Sequence, residues 1–261
     1  MGRARLLPWG GFLVLLAGCA AVQRMQELQG TILPEGPVLE KLLSHEERIT
    51  SLKALADMKI TRGGESLRFQ EVTLLRPPSH LRLEALGFGG FPTFILATDG
   101  EWLYAHFLLS QEFIRAKVTP NNLFALTGLR AAPEHVIRIL SGLPPLSPRG
   151  GILKSLNDGT RTWLETDAGS FQQRIWLDDE ASIKAGELYQ EKVLTLTFTF
   201  EEKTNQQGIA FPHRITLEKP LEGLVVEVIY QSVELGAPTP LSAFTLSPPN
   251  DGSTRVLDLG S

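Results

Sequence analysis

"KVLTLTFTFEE", residues 192–202, sets Leu194, Leu196, Phe198 and Phe200 in unbroken alternation with Thr195, Thr197 and Thr199. Successive side chains of a strand point to opposite faces, so this run reads as a half-buried antiparallel strand, apolar on one face and threonine on the other. Downstream, "FPHRITLEKPLEGLVVEVIYQ" (211–231) supplies two more strands, the second carrying Leu224, Val226, Val228 and Tyr230 on one face. Upstream, "TRTWLETDAGSFQQRIWLDD" (160–179) reads as a hairpin, and "SIKAGELYQ" (182–190) as the strand that feeds the threonine ladder.

The first half repeats the theme. Leu81, Leu83 and Ala85 alternate with His80, Arg82 and Glu84, and "FPTFILATDGEWLYAHF" (91–107) reads as two strands around the turn pair Asp99-Gly100. In "SLRFQEVTLLRP" (66–77) the alternation changes phase between Phe69 and Val72, which predicts a bulge. Leu39, Leu42, Leu43, Ile49 and Leu52 fall near helical spacing, and predict an amphipathic helix over about 38–56. Two short helices interrupt the strands. Thr119 and Pro120 open the first and Gly128 closes it; Pro133 and Gly142 bracket the second, which places Val136, Ile137 and Leu140 on one face.

The fold class expected is mainly β (α+β): a single curved antiparallel sheet forming a half-barrel, with the N-terminal helix and the helical insert covering an apolar concave face. Such a half-open barrel encloses a cavity unless its own side chains fill it. Candidate cavity residues are Leu194, Leu196, Phe198, Leu224, Val226 and Val228 on the sheet, with Val136, Ile137 and Leu140 on the lid. Simple core packing is the alternative for each.

The chain has 261 residues, 43% of them apolar, and a net charge of −4 with no basic run, so nucleic acid is not the expected partner. Its beginning has another logic. Arg3 and Arg5 precede an apolar run from Phe12 to Ala17, too short for a bilayer that needs about 20 residues. The run ends in Leu16-Ala17-Gly18-Cys19, similar to a bacterial lipobox, and Cys19 is the single cysteine, so no disulfide can form within the chain. The expected organisation is a signal peptide over 1–18, a lipidated tether over 19–37, the half-barrel domain over 38–235 and an extended tail over 236–261. A plain signal peptide with a chance cysteine is the alternative. Ala20, rather than Asp, after the cysteine resembles the sorting pattern for the outer membrane, at its periplasmic face.

Three segments carry a resemblance: "LTGLRAAPEHVIRILSGLP" (126–144), "FPHRITLE" (211–218) and "HLRLEALG" (80–87) running into a glycine loop. They resemble the helical insert, a late strand and the third strand of the LolA/LolB superfamily, and within it most the outer-membrane lipoprotein receptors of the LolB type. The resemblance implies a cavity for the acyl chains of lipoproteins or other lipids, delivered by a periplasmic LolA-like carrier to a monomeric acceptor held at the membrane by its N-terminal lipid. It also implies an apolar residue protruding from the loop after the third strand. Here that loop holds Leu86, Phe88 and Phe91 among Gly87, Gly89 and Gly90, with Phe88 the first choice. The alternative is that both rings fold back onto the sheet, Phe91 the more so because it adjoins Pro92.

Catalytic patterns are missing. The five histidines have no ligand spacing, no GxSxG elbow or phosphate loop occurs, and "GFGG" lacks the GxGxxG spacing. Asp178, Asp179 and Glu180 fall in a turn, where carboxylates are solvated. Neither a cofactor, a metal site nor an enzymatic activity is expected. A structural or scaffolding envelope lipoprotein with a filled interior is the competing function.

Overall fold

The computed structural model describes residues 23–34, 36–150, 154–159, 161–178, 180 and 182–259; the segment expected to be a signal peptide and Cys19 lie outside them. In chain order the elements are β1 (Thr31–Ile32), α1 (Gly36–Arg48), β2 (Leu52–Arg62), β3 (Glu65–Arg76), β4 (His80–Leu86), β5 (Pro92–Thr98), β6 (Trp102–Phe107), β7 (Glu112–Lys117), α2 (Pro120–Thr127) and α3 (Pro133–Leu140). The second half adds β8 (Lys154–Asn157), β9 (Thr162–Ala168), β10 (Phe171–Leu177), β11 (Ile183–Gln190), β12 (Val193–Gln206), β13 (Ile209–Lys219), β14 (Leu224–Leu235) and β15 (Arg255–Leu259).

All of these strands join one open, curved sheet in the order β1, β8 to β14, β2 to β7, β15. Neighbours along the chain pair antiparallel. The seam between the halves is β14 against β2, running from Leu224↔Arg62 to Leu235↔Leu52. Register carries one apolar face across it: Phe198 opposes Leu217, Leu217 opposes Val226, and Val226 opposes Ile60. The main core lies on that inner face.

The helices follow the expected local grammar. Thr119 Oγ1 accepts from the Asn122 N–H (3.1 Å), Pro120 occupies the first turn, and Gly128 ends α2 in the left-handed region with its N–H on Phe124 O (2.7 Å). At the end of α3, Tyr230 Oη donates to Leu140 O (2.6 Å), which pins the helix to the sheet. Arg138 of α3 ties the insert to α1: Nη2 and Nη1 reach Glu46 at 2.9 and 3.3 Å, Nε donates to Pro144 O at 2.8 Å, and Ser147 Oγ donates to both Glu46 oxygens. Burial pushes the Glu46 carboxyl up, but bonds and charge from Arg138, with Ser147 and Arg149, outweigh it and hold the pKa below its ordinary value.

Four expectations change. The N-terminal helix stops at Arg48, and Leu52, Ala54, Ala56 and Met58 are the buried positions of β2; pairing on both sides overrides the helical preference of alanine. No bulge interrupts β3, whose register with β2 is continuous. The apparent phase shift arises because Glu71 and Thr73 point inward between Phe69 and Leu75. The described part of the tether is not free: Leu194 N–H donates to Gln23 O, Met25 N–H to Lys192 O, Arg174 to Gln26 O, and β1 pairs with β8. The tail is not simply extended either. It crosses the outer face, buries Phe244 against His80, and adds β15 in parallel beside β7, so that β7 is not left as a bare edge.

The Arg138–Glu46 pair is largely buried, with side-chain exposures of 7% and 13%. Arg138→Ala strands the Glu46 carboxylate and is expected to cost roughly 3–5 kcal/mol in urea unfolding. The double variant Arg138→Met/Glu46→Leu should recover most of that loss.

Candidate functional site

Beneath the helical insert the inner face is not filled. A cavity of about 440 Å3 is walled by β2 to β6, by β13 and β14, and by α2 and α3, a volume within the range of small-ligand pockets. Met58, Leu81, Leu83, Phe94, Leu96 and Phe107 form the wall from the first half of the chain; Ile215, Leu217, Leu224, Val226 and Val228 form the other; Leu123, Leu126, Val136, Ile137 and Leu140 form the lid. Only three lining residues carry a hydroxyl, and each is engaged by main chain. Thr93 Oγ1 donates to Ala85 O (3.2 Å), Thr127 Oγ1 donates to Leu123 O (2.7 Å), and Thr98 Oγ1 accepts from the Gly100 N–H (3.1 Å). The cavity can offer a ligand dispersion and removal from water, and little direction.

Six sequence-predicted residues meet here: Val136, Ile137 and Leu140 from the lid, and Leu224, Val226 and Val228 from β14. Three do not. Phe198 packs on Gly186, where even a Cβ would come within 2.6 Å of the ring, so the cross-strand glycine takes its side chain. Leu196 opposes Leu188 in the same buried layer, and Leu194 is buried beside the strand's contact with Gln23. The wall from β4 to β6 was not among the predicted residues, although alternation in "HLRLEAL" and "FPTFILAT" carried its signal.

The β4–β5 connection is a tight turn over Phe88–Gly90. Gly87 N–H donates to Phe91 O (2.8 Å), and Gly89 and Gly90 both take φ of +78°. Gly87 is obligatory for space, because a Cβ there would lie 2.5 Å from Thr93 Cγ2. The turn leaves the Phe88 ring fully in solvent and Phe91 exposed, while Leu86 is half-buried at the end of β4. Ala85 and Phe94, on either side of the turn, line the cavity. The turns β2–β3, β4–β5, β6–β7 and β13–β14 all lie at one end of the sheet by register, and the exposed apolar residues Leu67, Phe88, Leu109 and Leu221 sit in or beside them.

Next to the wall, Glu71 is 1% exposed, and neither its Oε2 nor Thr73 Oγ1 has a hydrogen-bond partner among the described residues. Burial pushes the carboxyl up to about 8, and the nearby Thr73 hydroxyl counters only part of that shift. Glu71 is therefore protonated at neutral pH. Among the described residues no group of three His, Cys, Asp or Glu could hold a metal, and no helix is long and apolar enough to cross a membrane.

The fold of this chain is shared with solved proteins. A LolA superfamily protein from Nitrosomonas europaea matches with a TM-score of 0.56 at 16% identity, over 82% of this chain and 98% of its own. At that identity the likeness is one of fold. A Vibrio parahaemolyticus domain assigned to outer membrane lipoprotein sorting matches at 0.57 and 14% identity, over 80% of this chain and 95% of its own. A DUF1329 family protein from Desulfovibrio piger matches at 0.58 and 12%, over 80% and 96%. No family model and no curated protein matches the sequence.

The Glu71 shift fixes a sign. With a folded pKa raised above the unfolded one, the stabilisation from the neutral carboxyl is complete below about pH 4.5 and is lost as pH rises through about 8. Glu71→Gln removes that titration. Between pH 5 and pH 8 the variant should gain stability over the parent, by at most about 1.4 kcal/mol per pH unit, measured by urea unfolding at both pH values. An unchanged difference would mean that the carboxylate is solvated.

Proposed function

We propose that this chain is an envelope lipoprotein that takes acyl chains into the cavity beneath α2 and α3 and releases them at a membrane. The observation that carries this reading is the cavity itself: large, almost wholly apolar, and with every lining hydroxyl already engaged. An enzyme needs polar groups aimed at a reacting atom; an acyl chain needs none. The finer reading is a LolB-like acceptor at the periplasmic face of the outer membrane, tethered through lipid on Cys19 and supplied by a LolA-like carrier. It acts as a monomer and without a cofactor.

Geometry supports a role for the exposed turn. Burying one phenylalanine is worth about 1.5–3 kcal/mol, too little to anchor a protein but enough to seat a loop on a bilayer already held nearby. Each CH2 of a thioether-linked lipid adds about 0.8 kcal/mol of anchoring. The first described residues, Gln23 to Met25, meet the start of β12, at the same end of the sheet as Phe88. The described start of the chain and the tip thus lie at one end of the sheet, and an acyl chain leaving at that end passes beside the ring that enters the lipid.

The test is mass spectrometry of organic extracts from the Cys19→Ala chain, together with titration of a fluorescent fatty-acyl probe. Acyl species in the extract and saturable probe binding are expected. Phe88→Glu should keep probe binding but slow transfer of the probe to phospholipid vesicles by about tenfold or more, as the loss of about 1.5–3 kcal/mol implies. A folded protein with neither lipid nor probe binding would sink the transfer reading in favour of a scaffolding lipoprotein.

A further inference from the structure

A second cavity, of about 410 Å3, opens on the inner face between α1 and strands β11 to β13. Leu140 lines the acyl cavity and Gly142 lines this one, so the end of α3 stands between them. The chemistry differs. Lys41, His45 and Arg48 reach it from successive turns of α1, and Lys203 from β12. Glu180 is the one carboxylate among the lining residues, and Asp178 beside them is taken up by Lys203. Lys41 donates to the main-chain oxygen of Glu180, and Arg48 to that of Gln207 at 3.5 Å. Neither has a carboxylate partner among the described residues, so two of the three full cations at the hollow, Lys41 and Arg48, stand unpaired, while Lys203 is paired with Asp178.

Two details show how the chain builds this. Glu202 takes φ of +53°, costly for a residue with a Cβ. Regular alternation would put Glu202 on the face of Phe200; the left-handed residue breaks it, and Lys203 lines the hollow with Phe200 instead. Gly208, at φ +81°, makes the β12–β13 turn beside the Arg48 guanidinium. The field is felt by His45, whose pKa is lowered by burial first and then by the charges of Arg48 and Lys203. Beneath the cations, Leu42, Ile183, Phe200 and Pro212 supply an apolar floor.

We propose that this basic hollow is a binding site for a phosphate group, either free inorganic phosphate or the phosphate of an amphiphile whose first carbons rest on the apolar floor. Guanidinium and ammonium donors converging on a concave site are suited to phosphate oxygens. The hollow lies at the β10–β11 and β12–β13 turns, the end of the sheet opposite Phe88. A bilayer engaged by the exposed turn therefore does not supply the phosphate, which arrives in solution or with a carried ligand.

The experiment is calorimetric titration of the full chain at low ionic strength with inorganic phosphate, dodecyl phosphate and neutral dodecyl maltoside. Both phosphates should bind, and Lys41→Glu/Arg48→Glu should weaken them by about tenfold or more, the equivalent of losing one charge-assisted hydrogen bond. Lys41 and Arg48 are exposed, so the fold should persist; Lys41→Gln/Arg48→Gln provides a milder pair with the same direction of effect. The His45 ring, followed by NMR, should titrate at higher pH once phosphate is bound. Tighter binding of dodecyl phosphate, still sensitive to the double variant, assigns the site to a phosphorylated amphiphile; equal affinity assigns it to the free anion. No phosphate binding, or binding that the reversals leave unchanged, overturns the proposal. The fluorescent acyl probe separates the two cavities: phosphate binding without probe binding would leave this site standing while the acyl reading falls.

Discussion

An open sheet that curves around an apolar face has to cover that face, and this chain hangs the cover on a few buried polar bonds. Arg138 joins α3 to α1 through Glu46 and to the following loop through Pro144, while Tyr230 holds the end of α3 on the sheet. These bonds fix the insert at its C-terminal side. The side chains beneath α2 and the start of α3 do not fill the space they span. Arg62 and Lys219 also donate to Gly128 O and Arg130 O in the α2–α3 connection, so polar bonds along the insert hold the lid in place over an apolar volume that a fully interdigitated core would have sealed.

That arrangement places constraints elsewhere. Apolar space forgoes dispersion contacts, and elsewhere the core closes up: the Phe198 ring comes so near Gly186 that a Cβ there would meet it at 2.6 Å, and Phe211 packs on Tyr230. The sheet's edges also need cover. β1 is two residues long, and β15 docks in parallel on β7, so each end of the sheet is finished by a terminal segment of the chain. The inward Glu71 runs against this economy. Its neutral form tolerates the apolar surroundings and its charged form does not.

Legibility in the sequence followed from whether side-chain pattern or main-chain pairing decided an element. The threonine ladder of β12 and the Pro–Gly brackets of α2 and α3 are written in side chains, and they were readable. β15 and the segment around Gln23 join the sheet through main-chain bonds, which leave no such pattern. β2 was misread because Leu52, Ala54 and Ala56 suit a helix locally, and only the two neighbours that pair with it make it a strand. Glu71 imitated a bulge because a polar residue on a core face looks like a change of phase. For the cavity, β14 and α3 were found by periodicity, whereas Phe198 was misplaced because Gly186 opposite it is visible only in register. The basic hollow was invisible: positions 41–48, 180 and 203 meet only through topology.

An alkyl chain has no directional contact to offer, so an apolar wall measures length and bulk and cannot tell one lipid from another of the same chain. Whatever selectivity this fold has must come from groups outside the cavity. The chain has separated those groups by the length of its strands: apolar rings at the β4–β5 end, and at the other the cations around His45, of which Lys41 and Arg48 have no carboxylate partner among the described residues. On the two proposals together, the apolar wall would take any alkyl chain of fitting length, and discrimination by headgroup would fall to the basic hollow, which the end of α3 sets apart from that wall.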